Sequence, residues 1–171
     1  MLTGAIAASY YGVPRTTSDA DVVVDISEEG SQTKLVLALK KAGLKTEENR
    51  INAALRSGFR IATFRDTKTP FTVDIILSDG KIEKKAGTIL GLPTFFQTPE
   101  ELILAKLRMI KATVPRERAS KDEDDIKAIL KFNKVDMSVI KRRARKNGTL
   151  SILEALRTDA GWPDRKRRAR R

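Results

Sequence analysis

Gly4-Ala-Ile-Ala-Ala-Ser-Tyr-Tyr-Gly-Val-Pro-Arg-Thr-Thr-Ser-Asp-Ala-Asp-Val-Val-Val24 is the stretch that decides the fold. It opens on a glycine and a run of small residues that suits a short helix, with Met1 to Thr3 ahead of it as the end of a strand. Gly12 and Pro14 punctuate a loop, Gly12 to Ser18. From Asp19 the chain alternates acid with apolar residues and then turns β-branched, which is strand chemistry through Ile26. Two residues apart on a strand, Asp19 and Asp21 project from the same face, roughly 7 Å apart at Cα. A third acid, Asp74, interrupts the apolar run Phe71-Thr-Val-Asp-Ile-Ile-Leu77, where an unpaired carboxylate is expensive to bury. Acids gathered from neighbouring strands repel one another unless a cation sits between them, and two-metal sites are built this way. Each acid alone also reads as a surface Asp at a strand end, and spacing leaves both readings open.

Composition narrows the chemistry. The 171 residues include no cysteine and no histidine. Ser-His-Asp and Cys-His nucleophilic sites are therefore excluded, as are Cys/His zinc sites and disulfides. Any metal is a hard cation held by oxygen, with Mg²⁺ or Mn²⁺ as the usual catalytic examples. Forty per cent of the chain is apolar, enough for a sizeable core. No apolar run approaches the roughly 20 residues that span a bilayer, and the start lacks a basic leader. A cytoplasmic protein without a membrane partner is the expectation.

Outward from the opening stretch, the pattern predicts a helix from Ser31, as N-cap, to about Ala42, closed by Gly43. A second helix is expected over Asn49 to Arg56, and a hairpin from Phe59–Phe64 and Phe71–Leu77. Gly80 to Phe96 offers only one candidate strand, near Thr88 to Leu90. Thr98-Pro-Glu-Glu101 is a capping box with Pro at the first helical position. The helix it starts should run to about Ala112, with Leu102, Leu104, Ala105, Leu107 and Met109 facing a core. Further helices are expected over Lys121–Leu130, Asp136–Lys146 and Thr149–Leu156. The reading is an α+β protein in three parts: an α/β core over 1–96, a helical region over 97–162 and a basic flexible tail over 163–171.

The opening stretch resembles the signature of the nucleotidyltransferase superfamily, most nearly the minimal branch that includes AbiEii-type toxins. The shared features are a glycine followed by a small residue, a helix, a Gly-x-Pro-Arg-x-Thr loop and Asp-x-Asp on a strand, with Asp74 as the third acid. Thr98-Pro-Glu-Glu-Leu-Ile-Leu-Ala-Lys-Leu107, Arg118-Ala-Ser-Lys-Asp122 and Asp125-Ile126 extend the similarity over about residues 2 to 130. The resemblance implies a mixed β-sheet flanked by helices, followed by a C-terminal helical region. It also implies metal-dependent transfer of a nucleoside monophosphate from an NTP to a hydroxyl acceptor. Asp19, Asp21 and Asp74 would be the catalytic metal ligands for Mg²⁺ or Mn²⁺. Gly4, Ala5, Arg15, Thr17, Ser18 and Lys106 would contact the nucleotide, with backbone N–H groups at Gly4 and Ala5 cradling the phosphates. The sequence departs from the pattern at Ala5, where relatives usually carry glycine or serine, and in having only three residues before Gly4. Arg15 could instead pair with one of the acids, and Lys106 with Asp122 or Asp125.

The net charge of +12 is unevenly placed. The stretch from Lys141 onward carries +9 and the remainder only +3. Such a basic end suits RNA or another polyanion, and a solvated helix with a frayed tail is the plainer reading. A catalytically weak module of a toxin–antitoxin or RNA-binding system, with an antitoxin-like protein partner, is the alternative to an active enzyme.

Overall fold

The computed structural model describes residues 1–12, 14–80 and 82–159. The expected basic tail, 163–171, lies outside the described residues. The chain divides into two units, Met1–Thr98 and Pro99–Arg171.

The first unit is built on a sheet of four strands in the order β1-β4-β3-β2: β1 (Asp19–Asp25), β4 (Thr72–Ser78), β3 (Ile61–Asp66) and β2 (Leu44–Lys45). β1 and β4 run parallel, with Asp19 opposite Thr72 and Asp21 opposite Asp74. β3 and β4 form the predicted antiparallel pair. Their connection is held by Asp66, whose carboxylate accepts from the Thr69 hydroxyl at 2.7 Å and the Thr69 amide at 2.8 Å. The hydroxyl above all holds the Asp66 carboxyl below its ordinary range.

Helices α2 (Ser31–Lys41) and α3 (Glu48–Arg56) supply the core of this unit. Leu35, Val36, Leu39, Ile51 and Ala54 from the helices meet Ala62, Phe64, Ile75 and Leu77 from the strands. Each large side chain so buried contributes about 1.5–3 kcal/mol. Ser31 is not the N-cap: that position is Gly30, in a left-handed conformation, and the Ser31 hydroxyl donates to the Glu28 carbonyl. Gly43 ends α2 as expected, also left-handed.

Gly80 to Phe96 holds a complete hairpin where one strand was expected: β5 (Lys84–Ile89) and β6 (Leu92–Gln97), paired antiparallel. Its two-residue turn, Leu90-Gly91, has both residues at positive φ. Asn-Gly would have announced such a turn and Leu-Gly does not. The short segment at the start of the chain joins this hairpin to the main sheet. Leu2 bridges Val22 on one side and Phe96 on the other. Its N–H donates to the Phe95 carbonyl, and its carbonyl accepts from the Gln97 N–H, both at 2.8 Å.

The second unit is helical: α4 (Pro99–Ala112), a 3₁₀ turn (Arg116–Ala119), α5 (Ser120–Phe132), α6 (Met137–Lys146) and α7 (Leu150–Asp159). Its core is Leu102, Ile103, Leu107, Ile110, Ile126, Ile129, Ile140, Leu153 and Leu156. Met109, expected in the core, is exposed; Ile103 and Ile110 take the inward turns with Leu107, as a 3.6-residue period requires. The Glu101 carboxylate, assigned by the capping box to the helix start, is gripped by both arms of Arg143 on α6. No helix among the described residues is long and apolar enough to cross a membrane.

Asp136 caps α6, accepting from the amides of Ser138 and Val139 and from the Ser138 hydroxyl. The Ser138 hydroxyl, followed by the two amides, holds its carboxyl below the ordinary range. A carboxyl depressed in the folded state stabilises above its unfolded pKa, and that stability is lost as pH falls through the folded value. Asp136→Ala should therefore lower the thermal midpoint at neutral pH. The difference from the parent should shrink as pH falls below about 4, as read by circular dichroism melts across pH.

Candidate metal and nucleotide site

The acids are placed by strand register. Residues opposite one another on neighbouring strands share a face, as do residues two apart on one strand. Asp21 is opposite Asp74, and Asp19 lies two residues before Asp21. All three carboxylates therefore belong to one face of the sheet. Ala62, Phe64, Ile75 and Leu77 line the other face, against α2 and α3. Asp74 alternates with its apolar neighbours instead of being buried among them, and it is half-buried. The burial cost expected for a carboxylate in an apolar run does not arise, because Val73 and Ile75 point away from it.

Each acid has a local environment. The Thr17 hydroxyl donates to Asp19 Oδ1. The Thr63 hydroxyl, from β3, donates to Asp74 Oδ1 at 2.5 Å. Asp21 lies against the first residue of α1 (Gly4–Tyr10). A Cβ on Gly4 would overlap the Asp21 carboxylate, and Gly4 has φ +59°, so position 4 requires glycine for two reasons. The Thr3 hydroxyl does not cap α1; it donates to Gln97 Oε1. The negative charge nearest the positive end of this helix is thus Asp21, a favourable pairing. The helix packs through Ala5, Ala7 and Ala8, all buried.

Among the described residues no three acidic side chains close around a point where an ion could sit. The donor chemistry nonetheless fits a hard cation: oxygen ligands only, from three carboxylates on one face. The close approach at Gly4, which a side chain would fill, sets the Asp21 carboxylate against the first residue of α1. Thr63 went unnoticed in the sequence because only the β3–β4 register sets it opposite Asp74.

The remaining predicted contacts divide between the two units. Thr17 stands beside Asp19, while Arg15, half-buried, and Ser18, exposed, lie in the same loop. Lys106 belongs to α4 in the second unit and is 5% exposed. Its ammonium meets Asp122 at 2.9 Å and Asp125 at 2.6 Å. These are the structural pairings that the sequence left open for it.

No protein-family model and no curated protein matches the chain. Among solved structures, similarity is found to the crystal structure of an antigenic nucleotidyltransferase-like protein from Paracoccidioides brasiliensis, with a TM-score of 0.56. The match covers 93% of this chain and 82% of that one at 15% identity. The fold is nucleotidyltransferase-like. At this identity the likeness speaks for the fold alone. Within it, Asp19, Asp21 and Asp74 hold the sheet positions described above, and Gly4 opens α1 beside Asp21.

Two substitutions test these placements. Gly4→Ala should cost about 1–2 kcal/mol through its left-handed backbone and displace the Asp21 carboxylate. Urea unfolding reads the first effect, and Mn²⁺ titration by electron paramagnetic resonance reads the second. Lys106→Ala leaves the Asp125 carboxylate, 1% exposed, without its cation. It should destabilise by about 3–5 kcal/mol; a loss below about 1 kcal/mol would show that the ionic cluster is dispensable to the helical unit.

Proposed function

We propose that the protein is a metal-dependent nucleotidyltransferase that moves a nucleoside monophosphate from an NTP to a hydroxyl acceptor. The carrying observation is the register that sets Asp21 opposite Asp74, on the same face as Asp19 and beside the N-terminus of α1. In the reaction, the acceptor oxygen bonds to the α-phosphorus, the bond to the bridging oxygen breaks, and pyrophosphate leaves. Mg²⁺ or Mn²⁺ would polarise the acceptor oxygen and the α-phosphate. Asp19 and Asp21 would hold the metals, and Asp74 would complete the second position and take the acceptor's proton. The N–H groups at Gly4 and Ala5, with Arg15, Thr17 and Ser18, would hold the phosphates. RNA, such as a tRNA end, suits the basic C-terminal region as acceptor.

A second reading keeps the fold with little turnover, as a module of a toxin–antitoxin or RNA-binding system with an antitoxin-like protein partner. Ala5 favours it: the residue is buried and offers no hydroxyl to phosphate.

Incubation with each labelled NTP, Mg²⁺ or Mn²⁺ and total RNA should place label in RNA. Asp19→Asn/Asp21→Asn should reduce the transfer about 10³-fold, the scale of several kcal/mol at the transition state. Label persisting undiminished in that variant would remove the metal assignment. Label in neither RNA nor protein, with NTP binding intact, would favour the second reading.

A further inference from the structure

The open face of the four-stranded sheet is laid out in rows by its registers. Asp19 of β1 is opposite Thr72 of β4, Thr72 is opposite Arg65 of β3, and Arg65 is opposite Lys45 of β2. The next row is Asp21, Asp74 and Thr63. Residues directly opposite share a face, and Ala62, Phe64 and Leu44 pack on the core side. The acids therefore stand at the β1–β4 end of the open face and two cations at the β3–β2 end. With neighbouring strands about 4.8 Å apart, Arg65 lies roughly 10 Å along the row from Asp19, and Lys45 roughly 14 Å.

Arg65 and Lys45 break a rule of strand pairing. Like charges directly opposite one another destabilise a sheet, and both side chains are exposed. Among the described residues neither has an ion-pair partner, because the acids around them are engaged elsewhere. Asp66, next in the chain, accepts from Thr69. Glu47 is paired with Arg50 at 3.0 Å, and Lys45 is a lesser influence on it. Asp74, diagonal to Arg65, accepts from the Thr63 hydroxyl, and Asp19 from Thr17. Lys68, exposed in the β3–β4 connection, adds a third cation to this end of the hairpin. Two cations held side by side at a cost to the sheet suit an anion that spans both, and arginine in particular grips phosphate with two N–H groups.

The reaction proposed above decides which anion. The NTP phosphates would sit at the N-terminus of α1, which lies against Asp21 of β1. Attacking and leaving oxygens of phosphoryl transfer lie roughly in line. The acceptor oxygen must then arrive from the other side, over Asp74, and the rest of the acceptor continues across β3 and β2. A nucleic-acid strand on that path brings a phosphate at each step, first to Arg65 and then to Lys45. A protein hydroxyl or a small alcohol brings none. We infer that Arg65 and Lys45 bind the last backbone phosphates of an RNA strand and so present its 3′-hydroxyl to Asp74. The inference deepens the proposed function and rests on it for the direction of the strand.

The test is fluorescence anisotropy of the whole protein with a 5′-labelled oligouridylate of about 12 nucleotides, with Mg²⁺ and without NTP. Arg65→Gln/Lys45→Gln should raise Kd about tenfold and flatten the slope of log K against log salt by about 1.4, two lost contacts at about 0.7 each. A strand whose last two 3′ linkages are neutral methylphosphonates should bind the parent protein as weakly, yet bind the double variant no worse than the unmodified strand does. Lys45→Glu turns the like-charged pair into an opposite one. RNA affinity should fall while the thermal midpoint holds or rises, which a purely structural role for Lys45 would not give. An unchanged Kd and salt slope in the double variant would overturn the inference. Equal loss from methylphosphonates at the 5′ end would also overturn it, leaving the pair as a general cationic patch. A raised KM for NTP with RNA binding unaltered would give the pair to the triphosphate instead. Transfer to RNA whose KM for RNA ignores the double variant would sink the phosphate track and spare the transferase. RNA binding that depends on Arg65 and Lys45, in a parent protein that transfers nothing, would do the reverse.

Discussion

The parallel pairing of β1 with β4 is the constraint on which the first unit depends. Seven residue pairs fix it, from Asp19 opposite Thr72 to Asp25 opposite Ser78. Because side chains alternate across a strand, this one register settles both faces together. Ile75 and Leu77 go to the helices, while Asp19, Asp21 and Asp74 go to the opposite side. A slip of one residue would bury the acids and expose the core. The apolar face is therefore what specifies the acidic one.

Three carboxylates on one face carry a repulsive cost that the surroundings lower in separate ways. Thr17 and Thr63 donate to two of them. The third, Asp21, sits against the N-terminus of α1, at a spacing only glycine permits at position 4. Leu2 belongs to the same design. By bridging Val22 and Phe96 it ties the site-bearing strand to the β5–β6 hairpin.

The helical unit solves a different electrostatic problem. Lys106 is buried on α4 and stays so because Asp122 and Asp125, three residues apart on α5, both face it. Such a cluster is weak evidence for stability but strong evidence that removing one member is costly. Arg143 gripping Glu101 links α6 to α4 in the same way at a more exposed position.

Much of this was legible from residue order. Alternation and β-branching marked β1, β3 and β4; Gly43 marked the end of α2; Pro99 marked the start of α4. The absence of histidine and cysteine left only oxygen-ligand chemistry for a metal. What residue order alone left open were features that depend on partners distant in the chain. Leu90-Gly91 hid a hairpin because its turn breaks the usual chemistry. Met109 and Ile110 are equally apolar, and only packing decided which faces inward. Whether Lys106 paired or stood free depended on α5, and whether Asp74 was buried depended on β3 and β1. The sequence by itself determined which residues can carry charge and which segments form strands or helices, because those are local properties of the chain. Only the tertiary structure decided which acids share a face and which find a partner, because register and burial are properties of pairs.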